Sequence, residues 1–273
     1  MKRYIDDVMF GVVILITILT LLYVTFPIVI SFSMSFDPRT YLGKFPPPGF
    51  SMQWYKSFFT NEYFIAGLRT SLILATISTA VAGAVGVTTA IVLSQFEFRG
   101  KAMLSSLFLS PLMVPGVVIG FGLLMFFAMI GVFNGFTRLL AGHIIITIPY
   151  TIRSTISGLT GIRPSLREAA MTLGATEQRA FWDVTFPLAK TGIIAGCVFA
   201  FATSLDDVST SLFLYDPDAF TLPIALVSYM RANFDLSVAA AAVFLAVLTL
   251  GLIFVLDRVV GLERVIGQGI YRG

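Results

Sequence analysis

The chain has 273 residues, of which 57% are hydrophobic and only 12% are charged, and its net charge is +3. Soluble domains carry about 25% charged residues, so this composition excludes a soluble globule and predicts a membrane protein. The single cysteine excludes an intrachain disulfide and a cysteine-based metal cluster.

Six apolar runs are long enough to cross a membrane, since a spanning helix needs about 20 predominantly apolar residues. They lie at about 8–35, 66–93, 102–130, 139–159, 191–214 and 236–260. The first run is too long for a cleavable signal peptide and lacks its small-residue end, so we interpret it as a retained anchor. Pro111 and Pro115 predict a break in the third run, and Pro149 predicts a kink in the fourth. The predicted fold is an all-α membrane protein with six transmembrane helices.

Two sizeable loops and one polar stretch connect these runs. The first loop, 37–63, contains a proline cluster and a Trp–Tyr pair typical of the membrane interface, and a short interfacial helix is predicted around 52–60. The second loop covers 215–235. The polar stretch, 163–188, must lie outside the bilayer because each charge inside it would cost several kcal/mol.

Lysine and arginine are unevenly divided between the two sides of this topology. One side, with both termini and the polar stretch, receives 12 of the 18 basic residues. These are Lys2, Arg3, Arg99, Lys101, Arg153, Arg163, Arg167, Arg179, Lys190, Arg258, Arg264 and Arg272. Because basic residues favour the cytoplasmic side, both termini and the polar stretch are predicted to be cytoplasmic, and the two loops to face outward.

The polar stretch has the pattern of two short helices joined by a turn. Apolar residues at helical spacing predict a first helix that begins at Pro164 and stops at Gly174. The apolar face consists of Leu166, Ala169, Ala170 and Leu173. A second helix is predicted at 177–184, ending before Pro187. Amphipathicity alone would equally suit an ordinary interfacial connector.

The spacing in this stretch resembles the EAA loop of permease subunits in ATP-binding-cassette (ABC) importers. That pattern is Glu-Ala-Ala, three residues, Gly, nine residues, Ile, one residue, Leu-Pro. The chain matches it from Glu168 to Pro187, with Val184 and Phe186 as apolar replacements. Four further segments look like the spermidine/putrescine-type permease branch. They are FEFRGK (96–101), SPLMVPGVVIGFGLL (110–124), SLDDVSTSLFL (204–214) and TLPIALVSYMR (221–231).

The resemblance implies a type I ABC importer permease fold, with one permease domain over 1–273. It implies that the stretch 163–188 is a coupling helix region that docks on a cytoplasmic ATPase. The residues with this role would be Arg167, Glu168, Ala169, Ala170, Gly174 and Pro187.

The implied partners are a second, similar permease, two ATPase subunits, an external substrate-binding protein and the lipid of a bacterial inner membrane, but no nucleic acid. The sequence has no GxxxxGK[ST] phosphate-binding motif. The chain is therefore predicted to be a transport subunit that is not an enzyme and holds no cofactor, with ATP and Mg bound by the ATPases.

Two acids in the fifth run, Asp206 and Asp207, are the candidate substrate contacts. Acids inside a membrane are costly and usually face a cavity or a partner, and carboxylates would favour a cationic substrate such as a polyamine. Ser204 and Asp207 also fit a capping box that starts a new helix segment, and the two interpretations are compatible because broken helices often mark transport sites. Phe201 and Tyr229 are candidate aromatic contacts for an ammonium group.

The predicted function is therefore binding-protein-dependent, ATP-driven import of polyamines. One alternative is an importer permease for another small solute, such as an amino-acid derivative or a phosphonate. A second is an ion-coupled secondary transporter, which would show paired hydropathy repeats and more ionisable groups in the membrane. His143 is interpreted as a helix-packing residue with satisfied hydrogen bonds.

Overall fold

In the computed structural model, residues 2–41, 43–233 and 235–260 are described, and most of this part of the chain is helical. Its α-helices are α1 (Lys2–Met34), α2 (Gln53–Thr60), α3 (Glu62–Gln95), α4 (Lys101–Leu109), α5 (Gly116–Met129), α6 (Gly135–Thr160), α7 (Pro164–Thr172), α8 (Glu177–Ala180), α9 (Phe186–Asp206), α10 (Ser211–Leu214), α11 (Leu222–Ala232) and α12 (Ser237–Val260). The predicted cytoplasmic tail after residue 260, with Arg264 and Arg272, lies outside the described residues.

Five helical segments of the described chain could cross a membrane, and a sixth span results if α4 and α5 are counted together. The five are Met9–Met34, Glu62–Gln95, Gly135–Thr160, Glu177–Asp206 and Ser237–Val255. α4 with its 3₁₀ extension and α5 are bent by 104° at the predicted break between Pro111 and Pro115. Each proline lacks an N–H donor and its ring clashes with the preceding turn. The predicted all-α membrane fold is confirmed.

The fifth span differs from its prediction at both ends. α8 continues through a π-helical turn, Phe181–Thr185, into α9, so no helix ends before Pro187. A π-helical turn, which is wider than an α-helical turn, comes directly before the proline. The helix therefore continues although Pro187 has no N–H to donate. This proline was interpreted in the sequence analysis as the end of a helix. At the other end α9 stops at Asp206 rather than near 214, because the backbone of Asp207 is extended, with ψ 121°.

The loops contain more helix than predicted. The helix expected around 52–60 is confirmed as α2. The loop 215–235 contains α11, whose first turn holds Pro223, a position that suits proline. α6 passes through Pro149 without interruption.

By contacts the chain divides into two compact units, so the single permease domain remains a prediction. The smaller unit comprises 1–62 and 226–247, and the larger unit comprises 63–225 and 248–273. In the smaller unit one buried hydrophobic cluster consists of Met34, Trp54, Leu236 and Ala240. The Trp54 indole Nε1 donates to the Asp37 carbonyl at 2.8 Å, which fastens the loop after α1 onto α2.

In the larger unit, small residues bring α3, α6 and α9 close together. The buried positions of α3 include Ala75, Ser78, Ala82, Gly86 and Ala90. A Cβ on Gly192 would lie 2.8 Å from the Cα of Gly158, so α6 and α9 touch backbone to backbone. Thr151 Oγ1 donates to the Ala82 carbonyl at 2.8 Å, linking α6 to α3. Small residues allow such close approach of helix backbones within a membrane.

Candidate substrate cavity and coupling helix

The candidate substrate site is a break in the fifth spanning helix. α9 ends at Asp206, residues 207–210 form a turn, and α10 begins at Ser211. Asp207 Oδ2 accepts hydrogen bonds from the Ser211 N–H at 2.8 Å and the Ser211 hydroxyl at 2.9 Å. Its Oδ1 accepts from the Thr210 N–H at 3.3 Å. Asp207 therefore caps the turn that starts α10.

The predicted break is present, but the predicted capping box is wrong. Ser204 lies inside α9, one turn before the break, and is buried. Its hydroxyl is bonded to Ser78 and His143 rather than to the backbone of a new helix. Because residues 204–206 keep helical conformation, the capping position falls on Asp207.

Two adjoining cavities lie beside the break, in the larger unit. The larger one, of about 590 Å³, is lined by Tyr150, Ala202, Thr203, Asp206, Asp207, Val208, Ser209 and Thr249. The smaller one, of about 220 Å³, reaches the start of α5 and shares Tyr150, Thr203, Asp207 and Ser209 with its neighbour. Asp206 thus lines the larger cavity, and Asp207 lines both.

Only the two acids among the polar lining residues were named in the sequence analysis, and the others, including Tyr150, Thr203 and Ser209, were missed. Tyr150 follows a proline in the middle of a spanning helix, where a polar side chain is itself a sign of a transport path. Thr203, just before the motif SLDDVSTSLFL, and Ser209, within it, lie on either side of the two acids, so the polar site is wider than the acids alone.

The two candidate aromatic residues are placed differently from the acids. Phe201 is half-buried on α9 and is not among the residues that line the two cavities. Tyr229 lies on α11, and its hydroxyl donates to Asp235 Oδ2 at 3.1 Å. Their contact with a substrate stays a prediction.

A buried chain of hydrogen bonds leads from the break into the helix bundle. His143 Nε2 lies 2.9 Å from Ser211 Oγ, and its Nδ1 lies 2.7 Å from Ser204 Oγ. Ser78 Oγ donates to Ser204 Oγ at 3.2 Å. Because both ring nitrogens have partners and the side chain is fully buried, the interpretation of His143 as a satisfied packing residue is confirmed.

The candidate coupling helix, α7, starts and stops where the sequence predicts. Pro164 is its first residue, and Gly174 follows it with a φ of +93°, in the left-handed region. The N–H of Ala175 donates to the Ala170 carbonyl at 3.1 Å, and that of Gly174 to the Met171 carbonyl at 3.0 Å. This pair of bonds is a Schellman motif, which turns the chain sharply after a helix.

Arg167 connects α7 to its neighbours. Its guanidinium donates to Gln95 Oε1, at the end of α3, at 3.3 Å, and pairs with Glu177 at the start of α8. The other predicted coupling residues are at or near the surface: Glu168 and Ala169 are exposed, Ala170 is half-buried, and Pro187 lies in the first turn of α9.

The apolar face of α7 is left open by the described chain. No residue of this helix is buried. Leu166 is 46% exposed, and Leu173, just after the helix, is 89% exposed. An amphipathic helix that does not pack its apolar face against its own chain is available to another surface.

Comparisons with known proteins agree with this architecture. Residues 82–262 match the family described as binding-protein-dependent transport system inner membrane component. Over 247 residues the chain is 30% identical to the spermidine/putrescine transport system permease protein PotC of Shigella flexneri, covering 90% of this chain and 92% of the relative.

Solved structures are similar in fold. A bacterial ABC transporter involved in the import of the acidic polysaccharide alginate matches with a TM-score of 0.70 and 19% identity, covering 94% of this chain and 96% of that chain. A bacterial alginate ABC transporter in complex with an alginate pentasaccharide-bound periplasmic protein matches with a TM-score of 0.69 and 18% identity, covering 93% of each chain.

The family match and the permease relative identify the chain as a membrane transport subunit rather than an enzyme. The family match covers more than half of the chain. The chain therefore belongs to the family of binding-protein-dependent transport system inner membrane components, and the resemblance to ABC importer permeases is confirmed.

Proposed function

We propose that this chain is a permease subunit of an ATP-driven importer for polyamines such as spermidine or putrescine. The observation that carries the proposal is the pair of acids, Asp206 and Asp207, at a helix break beside a cavity. Negative charge at such a site favours the ammonium groups of a polyamine. The name of the PotC relative supports the same class of substrate.

We assign the substrate contact to Asp206. Its carboxylate is exposed to the larger cavity and accepts no hydrogen bond from the described part of the chain, whereas Asp207 accepts three. Asp206 is also the last residue of α9, and the carbonyl end of a helix carries partial negative charge that favours cations. The acid and the helix end therefore attract the same kind of ligand.

The proposed assembly contains a second permease, two ATPases in the cytoplasm and a substrate-binding protein outside. α7 would dock on an ATPase through its uncovered apolar face, and the alginate transporter solved with its periplasmic protein supports the external partner. The excess of basic residues supports cytoplasmic termini and a cytoplasmic α7. ATP and Mg belong to the ATPases in this proposal, and this chain holds no cofactor.

The test is ATP-dependent uptake of labelled putrescine by the reconstituted complex in liposomes. Loss of a charged contact costs about 1.5–3 kcal/mol, or about tenfold or more, so Asp206→Asn should reduce the uptake rate at least about tenfold. Asp218→Asn, which neutralises an exposed acid in the turn after α10, is the matched control and should leave the rate unchanged. Full uptake by Asp206→Asn would contradict the substrate assignment.

A further inference from the structure

We propose that His143 is a positioning residue for transport: as a neutral imidazole with its hydrogen on Nε2, it fixes Asp207 at the helix break through the Ser211 hydroxyl. The effect on transport rests on the proposed function. The position of the hydrogen and the link to Asp207 follow from the hydrogen-bond chain alone, so they are tested separately.

The hydrogen on Nε2 is assigned by following the chain from Asp207. The Ser211 hydroxyl donates to Asp207 Oδ2 at 2.9 Å, the oxygen that also accepts from the Ser211 N–H, so the single hydroxyl hydrogen of Ser211 is used there. Ser211 Oγ then has only acceptor capacity left for His143 Nε2, which lies 2.9 Å away. Nε2 must therefore be the donor.

The hydrogen bonds on the Nδ1 side of the ring agree with this assignment. A neutral imidazole has one N–H, so Nδ1 is an acceptor, and it takes the hydroxyl hydrogen of Ser204 at 2.7 Å. Ser204 accepts in turn from Ser78 at 3.2 Å. From Ser204 to Asp207 all donors point the same way, and the hydroxyl hydrogens of Ser204 and Ser211 are each used once. The Ser78 hydroxyl on α3 is shared between Ser204, at 3.2 Å, and the Ala75 carbonyl, at 3.3 Å.

Because these hydrogen bonds are buried, they strongly constrain the backbone at the break between α9 and α10. Ser78, His143, Ser204 and Ser211 are each no more than 1% exposed, so water cannot replace a lost partner and an unmade bond is costly. α10 has only four residues and is too short to be stable by itself. Its first residue, Ser211, is held by Asp207 on one side and by His143 on the other.

The first test is spectroscopic and needs no substrate. His143 is the single histidine of the chain, so the full-length protein labelled with ¹⁵N-histidine, purified without a histidine tag, gives one pair of ring nitrogen signals. At neutral pH we expect one protonated and one bare nitrogen, with the protonated one coupled to both Hδ2 and Hε1, as Nε2 is. A hydrogen on Nδ1, or on both nitrogens, would overturn the assignment.

Variants of the two neighbouring acids test whether the His143 ring signal depends on Asp207. Asp207→Asn should shift the Nε2 signal, because it changes the acceptor of the Ser211 hydroxyl. Asp206→Asn is the matched control and should leave the signal in place, since Asp206 has no bond to the chain that leads to His143. An equal shift in both variants, or in neither, would overturn the proposed link.

The transport test uses two amides that imitate different ring nitrogens. In His143→Gln the amide reaches the place of Nε2 and can still bond Ser211, whereas in His143→Asn it reaches the place of Nδ1 and Ser204. Uptake per assembled complex should be largely kept by Gln and reduced about tenfold by Asn. The reverse order would show that the contact with Ser204 matters more, and equal loss would show that neither contact is favoured. Either result would overturn the positioning role.

A second pair of variants tests the same role if the His143 variants fold poorly. Ser211→Ala should reduce uptake about tenfold, whereas Ser204→Ala should lower the amount of complex but keep the uptake per complex. The opposite result contradicts the proposal. Should the wild-type complex not transport any polyamine, the proposed function fails, and the ¹⁵N signals still decide the assignment of His143.

Discussion

Asp37 and Arg39 form an ion pair that organises the loop between α1 and α2. Arg39 Nε donates to both carboxylate oxygens of Asp37, at 2.9 and 3.0 Å, and Arg39 Nη2 donates to the Lys44 carbonyl at 2.9 Å. The guanidinium hydrogen bond lowers the pKa of Asp37 below its ordinary value of 3.8. The same carboxylate therefore holds the turn in place only while it is ionised.

This ion pair predicts a pH-dependent contribution to stability. Because the pKa of Asp37 is lowered in the folded protein, its contribution is complete above about pH 4 and is lost as the pH falls through the lowered value. Arg39→Ala should lower the melting temperature of the purified chain at neutral pH, and the difference from wild type should shrink in acid. Lys44→Ala removes an equal charge from an exposed side chain and is the control. A difference that stays constant with pH would contradict the prediction.

The two neighbouring acids show what a sequence can say about single residues. Hydropathy marks Asp206 and Asp207 as unusual, because charge is rare inside a span, and a cap was predicted beside them. Which of them caps depends on the backbone angle at which α9 ends, and no local pattern fixes that angle. The partners of His143 lie 61 and 68 residues further along the chain, so its role could be interpreted only as satisfied packing.

At the scale of elements, α7 is defined by its two ends more than by its packing. Pro164 starts it, the Schellman motif at Gly174 stops it, and Arg167 ties it to the ends of α3 and α8. Each of these features is local in the sequence apart from the bond to Gln95. That is why this helix could be predicted almost to the residue.

The turn after α7 gives a prediction for transport. Gly174 has a φ of +93°, which proline cannot adopt because its ring fixes φ near −65°. Asparagine tolerates the left-handed region better than most residues. Gly174→Pro should abolish ATP-dependent uptake while the protein still inserts into the membrane, and Gly174→Asn should retain most of it.

Membrane insertion is measured by immunoblot of washed membranes, so that loss of uptake is separated from loss of protein. Normal uptake by Gly174→Pro would contradict the coupling role of α7. An equal loss in Gly174→Asn would show that glycine is needed there for a reason other than its backbone conformation.

The fifth span shows where element prediction failed. Proline ordinarily stops a helix, and Pro187 was taken as such a stop. The π-helical turn at Phe181–Thr185 lets the helix pass through it, but this turn has no sequence signature as plain as a proline or a glycine. The failure is therefore one of local geometry, while the apolar length of the span was recognised.

For the whole molecule, hydropathy was enough to predict an all-α membrane fold. Spanning segments must satisfy their own backbone hydrogen bonds in lipid, so long apolar runs leave few alternatives to helices. The bend of 104° between α4 and α5 could also be predicted from the sequence, because Pro111 and Pro115 lie there. The packing of α6 on α9 depends on glycines that meet across two helices, and a single sequence does not show such a pairing.

The orientation in the membrane gives a whole-molecule prediction. Thr40 and Ser165 are both exposed, and the charge bias predicts that they lie on opposite sides of the membrane. In a Cys197→Ala background, Thr40→Cys should react with an impermeant maleimide in intact spheroplasts. Ser165→Cys should react only after the membrane is opened. The reverse pattern would contradict the proposed cytoplasmic side of α7.

The uninterrupted helix from Glu177 to Asp206 has a mechanical consequence. Its 30 residues form a lever about 45 Å long, and a tilt of about 5° would swing one end by about 4 Å relative to the other. Arg167 forms an ion pair with Glu177 at one end of this helix, and the cavity acids lie at the other end. A displacement of this size at the Asp206 end is larger than the length of each hydrogen bond that Asp207 accepts, so it would be enough to break them. A helix that ended before Pro187 could not carry such a tilt from Glu177 to Asp206.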